Sequence, residues 1–183
     1  MEPQCLNAEN CLFVMVDLQK RLLPAMDRRA SVLNEALRLL RCAETLNIPV
    51  LATEQYPAGL GATVEPLAEF LAPERTFSKK TFSCWGAPGF EEALAALRRR
   101  QAVIFGIESH ICVLATALEF LRRGFVTVAA EEACSSRKRE HHNLAMDNLL
   151  AAGAAVLPTE SIVYQLLGRA GTPQFKALLP LFK

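Results

Sequence analysis

Two side chains suited to hydrolytic chemistry each follow a strongly apolar segment of the chain. Asp17 comes directly after the apolar run Cys11–Val16, and Cys112 lies shortly after a second run at 102–105. In open α/β sheets, ligands bind beyond the carboxyl ends of the strands where the strand order reverses, so both side chains are expected at one crevice. A carboxylate can accept a thiol proton, and the thiolate can attack a carbonyl carbon. The pair therefore indicates acyl-transfer chemistry.

The position of Cys112 leaves two interpretations open. The residue is expected at the start of a helix, where unpaired N–H groups and a positive partial charge would lower the thiol pKa and hold an oxyanion. The same position suits a small buried apolar side chain, and Asp17 in turn suits a structural turn. Lys79 and Lys80 follow Thr76–Phe77 of a short predicted strand and offer a basic group, although a lysine pair is usually a solvated surface feature.

The spacing of apolar residues predicts a single domain over residues 1–183. Short buried strands alternate with amphipathic helices, which is typical of βαβ units and a mainly parallel sheet. We expect an α/β fold, namely a three-layer α/β/α sandwich with a doubly wound, Rossmann-like sheet of six strands. A loop is predicted over residues 55–67, as one wall of the site. The predicted strands are 11–16, 49–53, 75–79, 102–105, 126–130 and 154–157, and the predicted helices begin near Ser31, Phe90, Ile111, Arg137 and Ser161.

Composition and charge exclude several classes of function. The chain has 183 residues, 51% of them hydrophobic and 21% charged, which is not the composition of a disordered chain. A net charge of +1 leaves no basic surplus to neutralise phosphates, so no nucleic-acid partner is expected. No apolar run approaches the roughly 20 residues of a membrane span, and residues 1–10 lack the layout of a signal peptide. We therefore expect a cytoplasmic protein without membrane contact.

The six cysteines are expected to be free thiols in that reducing compartment. Their spacing matches no zinc-binding pattern, and we predict neither a metal site nor a cofactor. Most should behave as small hydrophobic residues, while a redox role stays open for Cys84 and Cys134 because both follow predicted strand ends.

Five short segments, spread over most of the chain, form a specific set. They read Val-Met-Val-Asp-Leu-Gln at 14–19, Thr-Glu-Gln-Tyr-Pro-Ala-Gly-Leu-Gly at 53–61, Lys-Lys-Thr-Phe-Ser at 79–83, Gly-Ile-Glu-Ser-His-Ile-Cys-Val at 106–113 and Ala-Cys-Ser-Ser-Arg at 133–137. Together they resemble the isochorismatase-like cysteine hydrolases, and most closely the isochorismatase domain-containing branch. That superfamily also holds the nicotinamidases.

The resemblance implies a catalytic triad of Asp17, Lys79 and Cys112. The family places its lysine three residues before an aromatic–serine pair, and Phe82-Ser83 selects Lys79 over Lys80 in that register. In the implied mechanism Asp17 accepts the thiol proton, the Cys112 thiolate attacks a carbonyl carbon, and water later releases the acyl group from a thioester-type acyl-enzyme.

The resemblance also implies a cis peptide between Ile107 and Glu108, which would turn the N–H of Glu108 toward that of Cys112 as a two-donor oxyanion hole. From the residues alone, His110 is expected to cap or to pack at an interface. His141 and His142 belong to a charged run that predicts a solvated helix face. Three further side chains are predicted around the substrate pocket, with ordinary core or surface roles left open for them: Gln19, Tyr56 and Trp85.

Two departures from the family pattern narrow the expected reaction. Nicotinamidases carry an Asp-x-His metal motif after the second strand, whereas no histidine lies between Met1 and Ser109 here. The true isochorismate vinyl-ether hydrolases resemble this chain but lack the cysteine, so Cys112 argues against that reaction. We predict a metal-independent cysteine hydrolase that cleaves a C–N bond of a small molecule, acting as a homo-oligomer. The alternatives are a vinyl-ether hydrolase and a catalytically silent interaction protein.

Overall fold

The computed structural model describes residues 5–183 of the chain. Residues 1–4, the start of the N-terminal segment from which no signal peptide is predicted, lie outside the described residues. In the part of the chain that the structure describes, no helix is long and apolar enough to cross a membrane.

Six parallel strands form one sheet in the order β3-β2-β1-β4-β5-β6, with helices on both sides, which confirms the predicted α/β fold. The central strands β1 and β4 are buried along their whole length, as expected for parallel strands covered on both faces. The strands are β1 (Cys11–Val16), β2 (Val50–Gln55), β3 (Thr76–Lys79), β4 (Gln101–Ile107), β5 (Val126–Ser135) and β6 (Ala155–Leu157).

The helices differ from the predicted bounds for local reasons. The first helix begins before Ser31, which lies in its first turn. The helix that begins at Phe90 as predicted ends at Leu97, because Arg98 adopts a left-handed φ of 53°. The predicted loop at 55–67 contains parts of two single-turn helices. The helices are α1 (Arg29–Leu46), α2 (Pro57–Leu60), α3 (Glu65–Ala68), α4 (Phe90–Leu97), α5 (Leu114–Arg122), α6 (Arg139–Ala151), α7 (Thr159–Leu167) and α8 (Pro173–Leu178).

The strand order reverses between β1 and β4, which lie side by side at the centre of the sheet. Val16 pairs with Gly106 near the carboxyl ends of these strands. A Cβ atom at Gly106 would lie 2.0 Å from the carbonyl oxygen of Val16, and its φ of 129° is one that side chains rarely permit. Glycine at this position therefore allows the two backbones to approach closely just below the crevice.

The pairing of β4 with β5 is irregular next to the same crevice. Ile104 pairs with Ala129 and Gly106 pairs with Cys134, so β5 carries extra residues over this interval. Irregularities of this kind bend a strand and redirect its side chains, and they are common beside functional sites. Here the extra residues include Glu131, whose carboxylate reaches back toward α6.

Candidate active site

A buried ion pair lies at the carboxyl ends of β1 and β3. The Nζ of Lys79 is 2.6 Å from the Oδ2 of Asp17, and both side chains are 0% exposed. Asp17 follows β1 with a positive φ of 53°, a conformation that Asp tolerates better than most residues. Lys80, the other lysine of the pair, is exposed. The structure thus joins Lys79, rather than Lys80, to Asp17.

Polar groups from β2 complete the surroundings of this pair. The hydroxyl of Thr53 donates a hydrogen bond of 2.8 Å to Oδ1 of Asp17. Lys79 donates to Oε1 of Gln55 at 2.6 Å and to the carbonyl oxygen of Thr81 at 3.3 Å. An ammonium group has three protons, so Asp17, Gln55 and Thr81 together satisfy it. Full satisfaction is what a buried charged pair requires to be tolerated.

Cys112 is buried beside this pair, in a single turn of π-helix (Ser109–Val113) that precedes α5. Burial, and after it the charge and the hydrogen-bond acceptor of the Asp17 carboxylate, raise the pKa of its thiol to about 12. The positive charge of Lys79 acts in the opposite direction but does not compensate. The expected lowering of this pKa at a helix N-terminus is therefore wrong, because burial and the nearby Asp17 carboxylate both act in the opposite direction.

The backbone before Cys112 folds into a tight turn. The peptide bond between Ile107 and Glu108 is cis. The N–H groups of Ile111 and Val113 both donate to the carbonyl oxygen of Glu108, each at 3.1 Å. Because these two bonds close the turn on Glu108, the backbone of Glu108 lies near that of Cys112, the two residues whose N–H groups are predicted to form an oxyanion hole.

The three predicted pocket residues lie in different environments. Gln19 is buried, and its side-chain amide bonds the backbone of Gln55 and Gly61, so it fixes the loop after β2 instead of facing a ligand. Tyr56 is 53% exposed and follows β2 directly. Its N–H donates to the carbonyl oxygen of Lys79 at 2.8 Å, which places it at the carboxyl end of the sheet.

Trp85, the third predicted pocket residue, lies away from the Asp17–Lys79 pair. Its ring packs against an aromatic cluster, with the centroid of Phe120 at 5.0 Å and that of Phe125 at 6.2 Å. The guanidinium carbon of Arg123 lies 4.0 Å from the centroid of the Trp85 ring. Phe125 precedes β5, so Trp85 belongs to the amino-terminal edge of the sheet, where it lines a separate cleft of about 560 Å³.

Cys84 lies beside this site, although the sequence predicted for it only an open redox role. Its thiol is 3.4 Å from the Thr53 hydroxyl and 3.2 Å from the hydroxyl of Thr116, one turn beyond Cys112 on α5. Burial raises its pKa to about 11, and its two contacts link Thr53, which bonds Asp17, to α5. Cys134 is buried within β5, and burial raises its pKa to about 12.

The histidines also depart from expectation. His142 is buried, so the predicted solvated face is wrong for this residue. Its ring bonds Ser109 of the tight turn and Glu131 of β5. His110 bonds the hydroxyl of Ser136 at 2.8 Å and stacks on His141 with ring centroids 4.8 Å apart. Across residues 5–183, no cluster of three or more His, Cys, Asp or Glu side chains is arranged to hold a metal ion.

The fold and these residues define a class: a doubly wound α/β protein with a carboxylate, an ammonium and a thiol gathered at the switch point of its sheet. Residues 11–161 match the family model described as the isochorismatase domain. The chain belongs to the isochorismatase family, which confirms the resemblance read from its motifs.

Curated relatives support the same branch. Isochorismatase domain-containing protein 1 of Salmo salar is 37% identical over 94% of this chain, and isochorismatase domain-containing protein 2A of Mus musculus is 35% identical over 96%. The chain spans 84% of the mouse protein but only 60% of the salmon protein and 62% of its Danio rerio counterpart.

Solved structures agree on the fold. The Caenorhabditis elegans protein described as the Mar1 ribonuclease superposes with a TM-score of 0.91 at 32% identity, covering 98% of this chain and 92% of that one. The YcaC gene product of Escherichia coli, described as an octameric hydrolase of unknown specificity, superposes with a TM-score of 0.93 at 22% identity, covering 100% and 91%. At that identity the second likeness concerns the fold alone.

Proposed function

We propose that this protein is a cysteine hydrolase that cleaves a C–N, amide-like bond of a small molecule through a thioester-type acyl-enzyme. The observation that carries the proposal is the position of the buried Cys112 thiol close enough to the Asp17–Lys79 pair for both charges to act on its pKa. A thiol beside a carboxylate and an ammonium has its general base at hand, and the base has its own counter-charge.

The proposed reaction proceeds in two halves. Asp17 takes the thiol proton as Sγ of Cys112 bonds to the substrate carbonyl carbon, and the N–H groups of Glu108 and Cys112 bind the oxyanion. Asp17 returns the proton to the leaving nitrogen as the C–N bond breaks. Water then attacks the thioester while Asp17 accepts its proton, and the acid leaves as Cys112 recovers its proton. All of these groups belong to this chain, so the proposed mechanism is metal-independent.

Lys79 has a supporting role in this scheme. Its three hydrogen bonds fix the ammonium group and leave it no free proton to donate to substrate. It therefore compensates the charge of Asp17 and orients the carboxylate toward Cys112. Tyr56, exposed at the carboxyl end of the sheet, is the side chain best placed among the three pocket candidates to contact substrate.

The test is a screen of small amides and carbamoyl compounds for amine or ammonia release, together with intact-protein mass spectrometry of the acyl-enzyme. Cys112→Ala should abolish both signals. Cys42→Ala is the matched control, because Cys42 is an equally buried thiol on α1. Release that survives in Cys112→Ala would contradict the proposal. Activity on isochorismate that survives in Cys112→Ala but not in Asp17→Asn would favour a vinyl-ether hydrolase. If neither the unsubstituted protein nor any variant shows activity, a catalytically silent interaction protein would be favoured.

A ribonuclease is a second candidate because the Caenorhabditis elegans relative carries that description at 32% identity. The net charge of +1 offers little attraction for a polyanion, so we favour the small-molecule substrate. Adding a labelled single-stranded RNA to the same screen separates the two functions. Cleavage of RNA that is lost in Cys112→Ala would replace the amide substrate with a nucleic acid.

We further propose a cytoplasmic homo-oligomer that contains this chain as one domain. The exposed apolar side chains Leu144 and Leu150 on α6 offer surface for contact between copies. Light scattering coupled to size exclusion would give the mass. A monomer at micromolar concentration would contradict the oligomer.

A further inference from the structure

The tight turn that carries Glu108 and Cys112 is anchored by its own side chains. Three consecutive residues of the turn each bond the segment that joins β5 to α6 or the first turns of α6. No other element makes so continuous a set of contacts with this turn among the side-chain hydrogen bonds of residues 5–183. The contacts join Glu108 to Arg137 at 2.9 Å, Ser109 to His142 at 2.9 Å and His110 to Ser136 at 2.8 Å.

The central contact of the three is the buried one. Ser109 is 0% exposed and His142 is 2% exposed, whereas the Arg137 side chain of the first contact is 59% exposed. Buried hydrogen bonds are not in competition with water and hold their geometry more firmly than exposed ones. The position of the turn is therefore set chiefly by the bond between Ser109 and His142.

The ring of His142 also has a hydrogen-bond partner on the side opposite Ser109. Its Nε2 lies 2.8 Å from Oε1 of Glu131, on the irregular interval of β5, and Arg28 donates to the same carboxylate oxygen at 3.1 Å. The same Nε2 lies 3.1 Å from a guanidinium nitrogen of Arg28, which can only donate. Because the shorter contact is with the carboxylate, which can only accept, we assign the ring proton to Nε2, and Nδ1 then accepts from the Ser109 hydroxyl. The result is an ordered chain of hydrogen bonds from Arg28 to the turn.

A serine, a histidine and a carboxylate in sequence invite comparison with a nucleophile triad. We do not assign Ser109 that role, because its buried hydroxyl bonds the ring of His142 on α6, away from the Asp17–Lys79 pair. The chain of bonds instead ends at the residue that follows Glu108 and precedes Cys112 in the same turn. Its effect must therefore reach the reaction through the position of the two N–H groups of Glu108 and Cys112.

We propose that His142 is a positioning residue for the oxyanion hole, acting through Ser109 and held by Glu131 and Arg28. This inference rests on the proposed acyl-transfer function. It concerns stabilisation of the oxyanion and not activation of the thiol, because Asp17 and Lys79 lie on the other side of Cys112, at the ends of β1 and β3. The two roles should therefore separate in experiments that need one but not the other.

Two reactions of Cys112 provide that separation. Alkylation by iodoacetamide displaces iodide at a saturated carbon and develops no carbonyl oxyanion. Acylation by p-nitrophenyl acetate passes through a tetrahedral oxyanion and releases p-nitrophenolate. Both are followed at Cys112 by peptide mass spectrometry of the full-length protein.

Two substitutions at position 142 form a matched pair. In His142→Asn the side-chain oxygen takes the place of Nδ1 and keeps the bond to Ser109. In His142→Gln the terminal amide takes the place of Nε2 and keeps only the bond to Glu131. Ser109→Ala removes the central bond from the other side, and Thr127→Val removes a buried hydroxyl from β5 that bonds a backbone carbonyl outside the turn.

We expect His142→Gln and Ser109→Ala to slow acylation by about 10- to 100-fold, since small displacements of catalytic groups cost that much. His142→Asn and Thr127→Val should acylate within about threefold of the unsubstituted protein, and alkylation should stay similar in all. Three results would overturn the inference. They are equal acylation rates in all variants, an equal loss of acylation in His142→Asn and His142→Gln, and a parallel loss of acylation and alkylation.

A third readout keeps the two proposals apart. If the unsubstituted protein is alkylated but never acylated at Cys112, the proposed hydrolase function fails. Hydrogen exchange of the peptide covering 107–113 then decides the anchoring alone. Faster exchange in His142→Gln and Ser109→Ala than in His142→Asn would support it, and equal exchange would overturn it.

Discussion

The two sides of the crevice are built differently. On the side of β1, β2 and β3, Asp17 and Lys79 form an ion pair that is wholly withdrawn from solvent. On the side of β4 and β5, the turn before Cys112 is held by hydrogen bonds and by an ion pair whose Arg137 member is 59% exposed. The first side fixes a charge, and the second fixes a backbone conformation.

This difference suggests a division of labour. In the proposed mechanism the general base needs a fixed position and a fixed counter-ion, which the buried pair supplies. An oxyanion hole needs two N–H groups aimed at one point, which requires backbone placement and no net charge. Substitutions on the first side should therefore change stability and proton transfer, and those on the second side should change geometry at small thermodynamic cost.

The largest expected effect is on the buried pair. Asp17→Asn leaves the ammonium of Lys79 buried without its counter-charge, so we expect a loss of about 3–5 kcal/mol in the free energy of unfolding. Asp17→Asn with Lys79→Met removes both charges and should recover part of that loss. Urea denaturation of the single and double variants measures both, and a double variant less stable than Asp17→Asn would refute the explanation.

A smaller loss is expected for the support of Asp17. Thr53→Val removes a buried donor to a charged oxygen, so we expect a loss of about 1.5–3 kcal/mol. The control is Thr127→Val, whose hydroxyl donates to a neutral carbonyl and should contribute about 0.5–1.5 kcal/mol. Equal losses from the two variants in urea denaturation would show that the charge of Asp17 has no part in the effect.

The third prediction concerns pH. Because the pKa of Cys112 is about 12, alkylation by iodoacetamide should rise with pH without a plateau between about pH 7 and 10. Asp17→Asn removes a negative charge and an acceptor that both raise this pKa, so the pKa falls and more thiolate forms at any given pH. We expect alkylation at pH 8 to accelerate at least about tenfold, while acyl transfer declines for want of a base.

The measurement is the alkylation rate at each pH, with Cys5 as the exposed reference thiol in the same molecule. A plateau below pH 8 in the unsubstituted protein would mean that the thiol is activated at rest. Slower alkylation in Asp17→Asn would mean that Asp17 promotes the thiolate and does not oppose it.

The smallest effect is expected on the second side. Arg137→Ala removes the solvent-exposed partner of the buried Glu108 carboxylate, so we expect a loss of about 1 kcal/mol in stability, reduced further by added salt. Thermal unfolding at low and high salt, beside the Asp17→Asn variant, checks the contrast. A loss as large as that of Asp17→Asn would remove the distinction between the two sides.

The sequence supported the prediction of one side far better than the other. Asp17 is conspicuous because a carboxylate directly after a buried strand is costly unless it is paired. Cys112 follows the second buried strand, and parallel strands bring both to one edge of the sheet. The alternation of strands and helices likewise sufficed for the fold, although the ends of single elements depended on left-handed residues such as Arg98.

The anchoring of the turn could not be predicted in this way. Glu131 reaches His142 because β5 is irregular between Ala129 and Cys134, and no local pattern of polar and apolar residues reveals such an interval. Trp85 shows the same limit, since it is adjacent to Cys84 in sequence but packs with Phe125 at the far edge of the sheet. Each case depends on contacts between distant segments.

Gly106 sets a limit on how this crevice can change over evolution. Any side chain there would collide with the backbone of Val16, so the gap between the strands that carry Asp17 and the turn before Cys112 is not adjustable at this position. In the proposed hydrolase, adaptation to a larger or smaller substrate therefore has to come from residues outside the strands, such as the exposed Tyr56. The machinery of the reaction and the choice of substrate are thereby free to evolve separately.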